Sequence, residues 1–272
     1  MILFLIFEHM LRFFLLVLGC VLMATCFSQQ VNGVGDKDSK TKPSEALLIV
    51  SGFGAKINGL GTLRRYFKDA EMPVYVPKYL TRKSIASSKE RLHKYMEKHK
   101  LKEYESLHVL SFIVGSWTMN QWIIQHGKGN IKTIIYDRSP LQERAPSILL
   151  SEMKAINALL FGKITRDFND TPYAKIEDEQ IAIGMMVEVY ATNVIRKHQS
   201  STLAMGPLRW DLAQFNQAVR DWVYLPLNHD QMYTQPEKYA QEIFTFIRTG
   251  HFSEAMHQVR PVDNPFIKLR KR

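Results

Sequence analysis

Four short segments of this 272-residue chain hold residue types able to do chemistry. Ser51-Gly52-Phe53-Gly54 offers backbone amides in a glycine-rich turn. Ser111-Phe112-Ile113-Val114-Gly115-Ser116 sets two hydroxyls and a glycine in what reads as a sharp bend. Asp137-Arg138-Ser139 supplies a carboxylate, and Asn228-His229-Asp230 supplies an imidazole. Amides aimed at one point suit a developing oxyanion. A hydroxyl beside an imidazole, itself oriented by an acid, suits a nucleophile with its base.

Other chemistries find less support. The nine histidines, His93 and His99 among them, show no metal-ligand pattern such as H-E-x-x-H, so no metal site is expected. Gly52, Gly54, Gly59 and Gly61 are spaced wrongly for a dinucleotide fingerprint, and no lysine-serine follows to make a phosphate loop. No cofactor is expected, and no nucleic-acid motif occurs.

The elements that must position these segments read as an alternation. Ala46-Leu47-Leu48-Ile49-Val50 is a continuous apolar run, the pattern of a strand buried on both faces. Helical spacing follows at Leu60, Leu63, Tyr66 and Phe67, then a strand at 73–76 and a helix through Ile85, Leu92, Tyr95 and Met96. A strand at 107–113, a helix at 117–125 and a strand at 131–136 continue the pattern. Such alternation predicts an α/β fold, a doubly wound, mostly parallel sheet with helices on both faces. The stretches 147–161 and 176–198 read as helices. The second has Glu177, Asp178 and Glu179 at its start and Arg196, Lys197 and His198 at its end, matching a helix dipole. The span 147–220 is therefore expected to be an inserted helical cap. A strand at 222–225 and a helix through Tyr239, Ile243, Phe244 and Ile247 close the domain, which spans 45–252 and leaves a basic tail at 253–272. In parallel sheets, ligands sit at the carboxyl ends of strands. All four chemical segments fall there.

Their order resembles the α/β-hydrolase family over roughly 45–250. Ser51-Gly52-Phe53-Gly54 is similar to the family's oxyanion turn with serine in place of histidine, which implies the Phe53 amide as a donor. Ser111 to Ser116 resembles the nucleophile elbow G-x-S-x-G-G, with small residues where strand and helix pass close. The central position is then Ile113, followed by Val114, and isoleucine has no nucleophilic atom. A second register centres on Ser116, but Val114 and Thr118 would take positions that want glycine. His229, just before Pro236-Glu237, matches the placement of the family's catalytic histidine, and Asp137 stands where some relatives carry the acid, with Asp230 as the fallback. Asp137 could equally pair with Arg138 or Arg144. Trp117 and Trp122 are candidates for a pocket wall or for core.

The first residues stand apart. Phe13 to Phe27 is an uninterrupted apolar run after Arg12, and Ser28 ends it. Its length suits an export signal better than a bilayer span, which needs about 20 residues. Residues 1–28 read as a signal peptide or, using residues 1–27, a membrane anchor, with Met10 an alternative start. Residues 29–44 read as a polar linker. Both cysteines, Cys20 and Cys26, lie in the apolar segment, so a mature chain cleaved after it would have no disulfide. The expected location is periplasmic, secreted or lumenal. The net charge of +10 suits an anionic membrane surface.

Two functions stay open on this reading. One is an esterase- or lipase-like hydrolase using Ser116 or a water activated by His229. The other is a non-catalytic relative that binds an apolar, acyl- or lipid-like small molecule.

Overall fold

The computed structural model describes residues 44–53 and 59–269. The expected signal or anchor segment, almost all of the linker, Gly54 of the first turn and the last three residues of the tail lie outside them. Among the described residues no helix is long and apolar enough to cross a membrane.

Six parallel strands form one sheet: β1 (Glu45–Val50), β2 (Val74–Tyr75), β3 (Ser106–Phe112), β4 (Ile131–Arg138), β5 (Ala182–Tyr190) and β6 (Asp221–Asn228). Their order is β2-β1-β3-β4-β5-β6. The chain steps outward from β1 to β2, returns past β1 to β3, then advances strand by strand to β6. The winding therefore reverses between β1 and β3, the place in such sheets where ligands are generally held. Ser51 follows β1 and Ile113 follows β3, so both turns lie at that switch point.

Strand period decides the two cores. Ala46, Leu48 and Val50 join Val109, Tyr136, Met185 and Val187 on one face of the sheet. That face is covered by α2 (Ile85–Lys98), following α1 (Gly59–Tyr66), and by α3 (Val114–His126), through Leu92, Met96, Met119 and Trp122. Leu47 and Ile49 join Leu110, Phe112 and Met186 on the other face. There they meet Leu63 of α1 and residues near the chain's end. Between β4 and β5 come α4 (Ala145–Ser151), α5 (Lys154–Leu160) and α6 (Ile164–Asp170); between β5 and β6, α7 (Asn193–Lys197) and α8 (Gln199–Ala204). The chain closes with α9 (His229–Thr234), α10 (Ala240–Thr249) and α11 (Glu254–His257). Met232, Ile243 and Phe246 of α9 and α10 complete the second core.

One sequence expectation is overturned. The stretch 176–198 is not a helix: its middle is β5, a strand paired on both sides and buried almost throughout. The run Ile181 to Val189 is apolar except for Gly184 and Glu188, and a helix with that pattern would need burial on every side. The charges that imitate helix ends belong to neighbouring turns and to α7. The 147–220 span is thus helical to Asp170, then contributes a central strand. The stretch 253–269, expected as part of a basic tail outside the domain, packs against the domain. Phe266 is buried with Leu141 and Ile195, and Ala191 donates its amide to the Pro265 carbonyl at 2.9 Å.

Candidate functional site

The turn between β3 and α3 has Ile113 at its tip, with φ 27° and ψ −94°. This region is costly for a β-branched residue. Three contacts hold it. Ile113 donates its amide to the Asp137 carbonyl at 3.0 Å, and Ser116 donates to the Ile113 carbonyl at 2.8 Å. Gly115 passes so close to β1 that a Cβ there would lie 2.2 Å from the Val50 carbonyl oxygen. The register centred on Ile113 is the one the chain adopts. Its side chain packs with Ile85, Val114, Trp117, Ile164 and Phe168 under the cap.

Ser116 sits in the first turn of α3, fully buried. Its hydroxyl is 3.1 Å from that of Ser111 and also reaches the Ser111 carbonyl at 3.4 Å. The two serines satisfy one another across the strand-to-helix junction.

At the end of β6, Asn228 caps α9: its side chain accepts the Gln231 amide, and Gln231 returns the bond to the Asn228 amide. That cap sets His229 as the first helical residue, with its ring against Phe112 and Tyr233. Imidazole Nδ1 lies 2.7 Å from Glu188 Oε1 and 3.3 Å from Asp137 Oδ2. Only the Glu188 contact has hydrogen-bond geometry, so that carboxyl accepts the N–H. Both Asp137 oxygens and Glu188 Oε2 are buried without a hydrogen-bond partner among the described residues. Asp230 falls in the first turn of α9, where an acid meets the positive end of the helix.

Burial by itself would lower the His229 pKa, but Glu188 and Asp137 overcome it and hold it up at about 10. Burial, then the neighbouring Asp137 charge, pushes the Glu188 carboxyl well above its ordinary range. A protonated imidazole so placed is compensated by the carboxyl groups beside it, as burial requires. These three residues also bring one ligating atom each within 4.8 Å of one another, close enough to share a cation. The 2.7 Å Nδ1 to Oε1 separation is a direct hydrogen bond, so the spacing fits a proton there.

Asp137 and Arg138 point to opposite faces of β4. Arg138 pairs with Glu143 and lies against the rings of Trp117, Tyr173 and Phe215, with its guanidinium carbon 4.8, 4.4 and 5.1 Å from their centroids. Arg144 donates to the carbonyls of Thr202, Gly206 and Pro207. Neither arginine takes the Asp137 carboxylate. Trp117 donates its indole N–H to the Thr171 carbonyl, and Trp122 donates to His93 Nδ1. Both are core residues. Glu188 is the site residue that sequence reasoning missed, and its signal was present: one carboxylate inside an apolar run.

The oxyanion-type turn is partly occupied. Gly52 donates its amide to the Tyr233 hydroxyl at 2.7 Å, and Tyr79 donates its hydroxyl to the Ser51 carbonyl at 2.5 Å. The Phe53 ring meets Phe161 and Phe168 of the cap edge-on. A cleft of about 240 Å³ opens beside this turn, lined by Ser51, Gly52, Phe53, Lys78, Leu160 and Ile164 among others. Neither Ile113 nor His229 is among its lining residues.

No protein-family model matches the chain, and no curated protein matches it. Solved structures that it resembles include an extracellular alpha/beta-hydrolase from a Paenibacillus species, at 11% identity and TM-score 0.48 over 74% of this chain and 97% of that one. A carboxylesterase structure from the thaumarchaeon Nitrososphaera gargenis aligns at 11% identity and TM-score 0.45, over 77% and 92% of the two chains. A putative aryl esterase from Burkholderia cenocepacia gives 9% and 0.47, over 78% and 92%. The fold itself is an all-parallel six-stranded α/β sheet with helices packed on both faces. Within that sheet the sharp turn from β3 into α3 carries a hydrocarbon at its tip.

Proposed function

We propose that this chain is an exported hydrolase-fold protein that does no serine-type acyl transfer and instead binds an apolar, acyl- or lipid-like small molecule in the cleft beside Ser51–Phe53. The observation that carries the reading is Ile113 at the tip of the elbow. Covalent catalysis begins with an oxygen or sulfur at that point, and isoleucine offers neither. Two further features support it. The hydroxyls of Ser111 and Ser116 are bonded to each other inside the junction. His229, held near a pKa of about 10, is already protonated at neutral pH and makes a poor base for a hydroxyl or a water. The cleft has apolar walls at Leu60, Leu80 and Ile164 and cations at Lys78 and Arg82, a lining that suits an apolar body with a carboxylate end. Export rests on the apolar run 13–27.

The test pairs chemistry with binding. A fluorophosphonate probe should leave the protein unlabelled, and a panel of acyl esters should stay intact. Medium-chain fatty acids should raise its melting temperature. Labelling that disappears in Ser116→Ala would replace this reading with that of an active serine hydrolase. No thermal shift with any acyl ligand, together with no lipid extracted from the purified protein, would remove the binding function.

A further inference from the structure

Helix α6 presents two faces. Ile164 and Phe168 turn inward and pack with Ile113 and Trp117. Lys163, just before the helix, and Arg166, Asp167 and Asp170 within it follow i, i+3, i+4, i+7 spacing and share another face. That face forms one wall of a hollow of about 740 Å³. Asn157 and Ala158 of α5 form a second wall, Leu150 of α4 a third, and Lys83 reaches the hollow from the loop before α2. None of these residues lines the cleft beside Ser51–Phe53, so the hollow is a separate place. Backbone amides fix its frame: Lys163 donates to the Arg82 carbonyl at 2.9 Å, and Ile85 donates to Asp167 Oδ2 at 2.6 Å.

The side chains around it are mostly charged or polar, and many are uncommitted. The cationic groups of Lys83, Lys163 and Arg166 make no ion pair or hydrogen bond among the described residues. Asn157 is 7% exposed, and its side-chain oxygen has no hydrogen-bond partner among the described residues. A buried acceptor of this kind calls for a donor. The two acids each accept one N–H already, Asp167 from Ile85 and Asp170 Oδ1 from Asn169 Nδ2 at 3.1 Å. Leu150 and Ala158 are the apolar members of the lining, too few to bed an acyl chain.

We propose that this hollow binds a small, soluble sugar phosphate. The three cations come from a loop, a helix cap and the helix itself, so they can meet an occupant from more than one side. A phosphate monoester spreads its charge over three oxygens and can take all three, whereas a carboxylate has two oxygens in one plane. Asn157 Oδ1 and the second oxygen of each acid are then acceptors for the sugar hydroxyls. The site needs nothing from the cleft, so it stands apart from the binding function proposed above.

Isothermal titration calorimetry on the full chain tests this, with glucose 6-phosphate as the probe and inorganic phosphate and glucose as its two halves. The whole probe should bind about tenfold or more tighter than either half, since a hydrogen bond to a charged group is worth about a factor of ten. The double variant Lys163→Gln with Arg166→Gln changes only exposed side chains. It should keep the melting temperature and the response of the cleft to fatty acids, and bind the probe about tenfold or more weakly. Asn157→Ala should bring the probe's affinity down toward that of inorganic phosphate. No binding of the probe would overturn the proposal, as would inorganic phosphate binding as tightly as the probe. Unchanged affinity in the double variant would also overturn it, by placing the anion elsewhere on a chain of net charge +10.

Discussion

The elbow can be tested through its backbone. Ile113 is held at positive φ, and a residue with a Cβ in such a region carries a strain of about 1–3 kcal/mol. Its side chain is 5% exposed within the cluster under the cap, so trimming it to alanine removes about 2–5 kcal/mol of packing. Ile113→Ala loses that packing and keeps the strain, whereas Ile113→Gly loses slightly more packing and releases the strain. At an ordinary helix or strand position glycine is the worse residue by about 0.5–1 kcal/mol. Here the order should invert, with glycine more stable than alanine by about 1–2 kcal/mol. Both variants should still be less stable than the parent. Urea unfolding followed by tryptophan fluorescence reads the difference as a midpoint shift of about 0.3–1 M, for a denaturant slope of about 2–3 kcal/mol/M. Alanine equal to or above glycine, at unchanged slope, would mean that Ile113 is not strained and that the turn is no elbow.

Two further outcomes follow from the buried groups. His229 has its folded pKa near 10 against 6.5 for the free side chain, so its stabilisation is complete below about pH 6.5 and disappears as pH rises through 10. Glu188, raised in the same direction, also holds its proton longer in the folded state. The melting temperature should therefore fall between pH 6.5 and 10, and His229→Gln should flatten that fall; a profile unchanged by the substitution would show that the imidazole is not the titrating group. At the junction, Ser111→Ala and Ser116→Ala each strand a buried hydroxyl and should each lower stability by about 1–3 kcal/mol, while the double variant should lose clearly less than their sum. Strict additivity in denaturant unfolding would mean the two hydroxyls do not pair.

Local pattern located much of this protein. The unbroken apolar run at 46–50 and the largely apolar stretches at 107–112 and 131–136 lie in the interior of the sheet because helices cover both its sides, and that requirement is visible in one dimension. The elbow was legible for a similar reason. Only small residues fit where α3 passes β1, so Gly115 and the flanking serines marked the turn, and the β-branched flanks of Ser116 argued against the other register. The position of His229 was legible through the family resemblance, from Pro236-Glu237 and the helix after it. The missed strand shows where such reading ends. Acidic and basic residues around 181–189 imitate the ends of a helix, and nothing local reveals that this segment lies between β4 and β6. With β5 misread, Glu188 had no place in the site.

The residues alone therefore determined the class of fold, the place of the turn and the fact that its tip cannot act as a nucleophile. Tertiary structure decided which groups meet. Strand alternation sends Asp137 toward His229 and Arg138 into its aromatic cage, and the pairing of β4 with β5 brings Glu188 beside them, about fifty residues further along the chain. Those meetings depend on strand order and register, which arise from contacts distant in sequence. No residue pattern along the chain encodes the resulting shift of His229 toward its charged form.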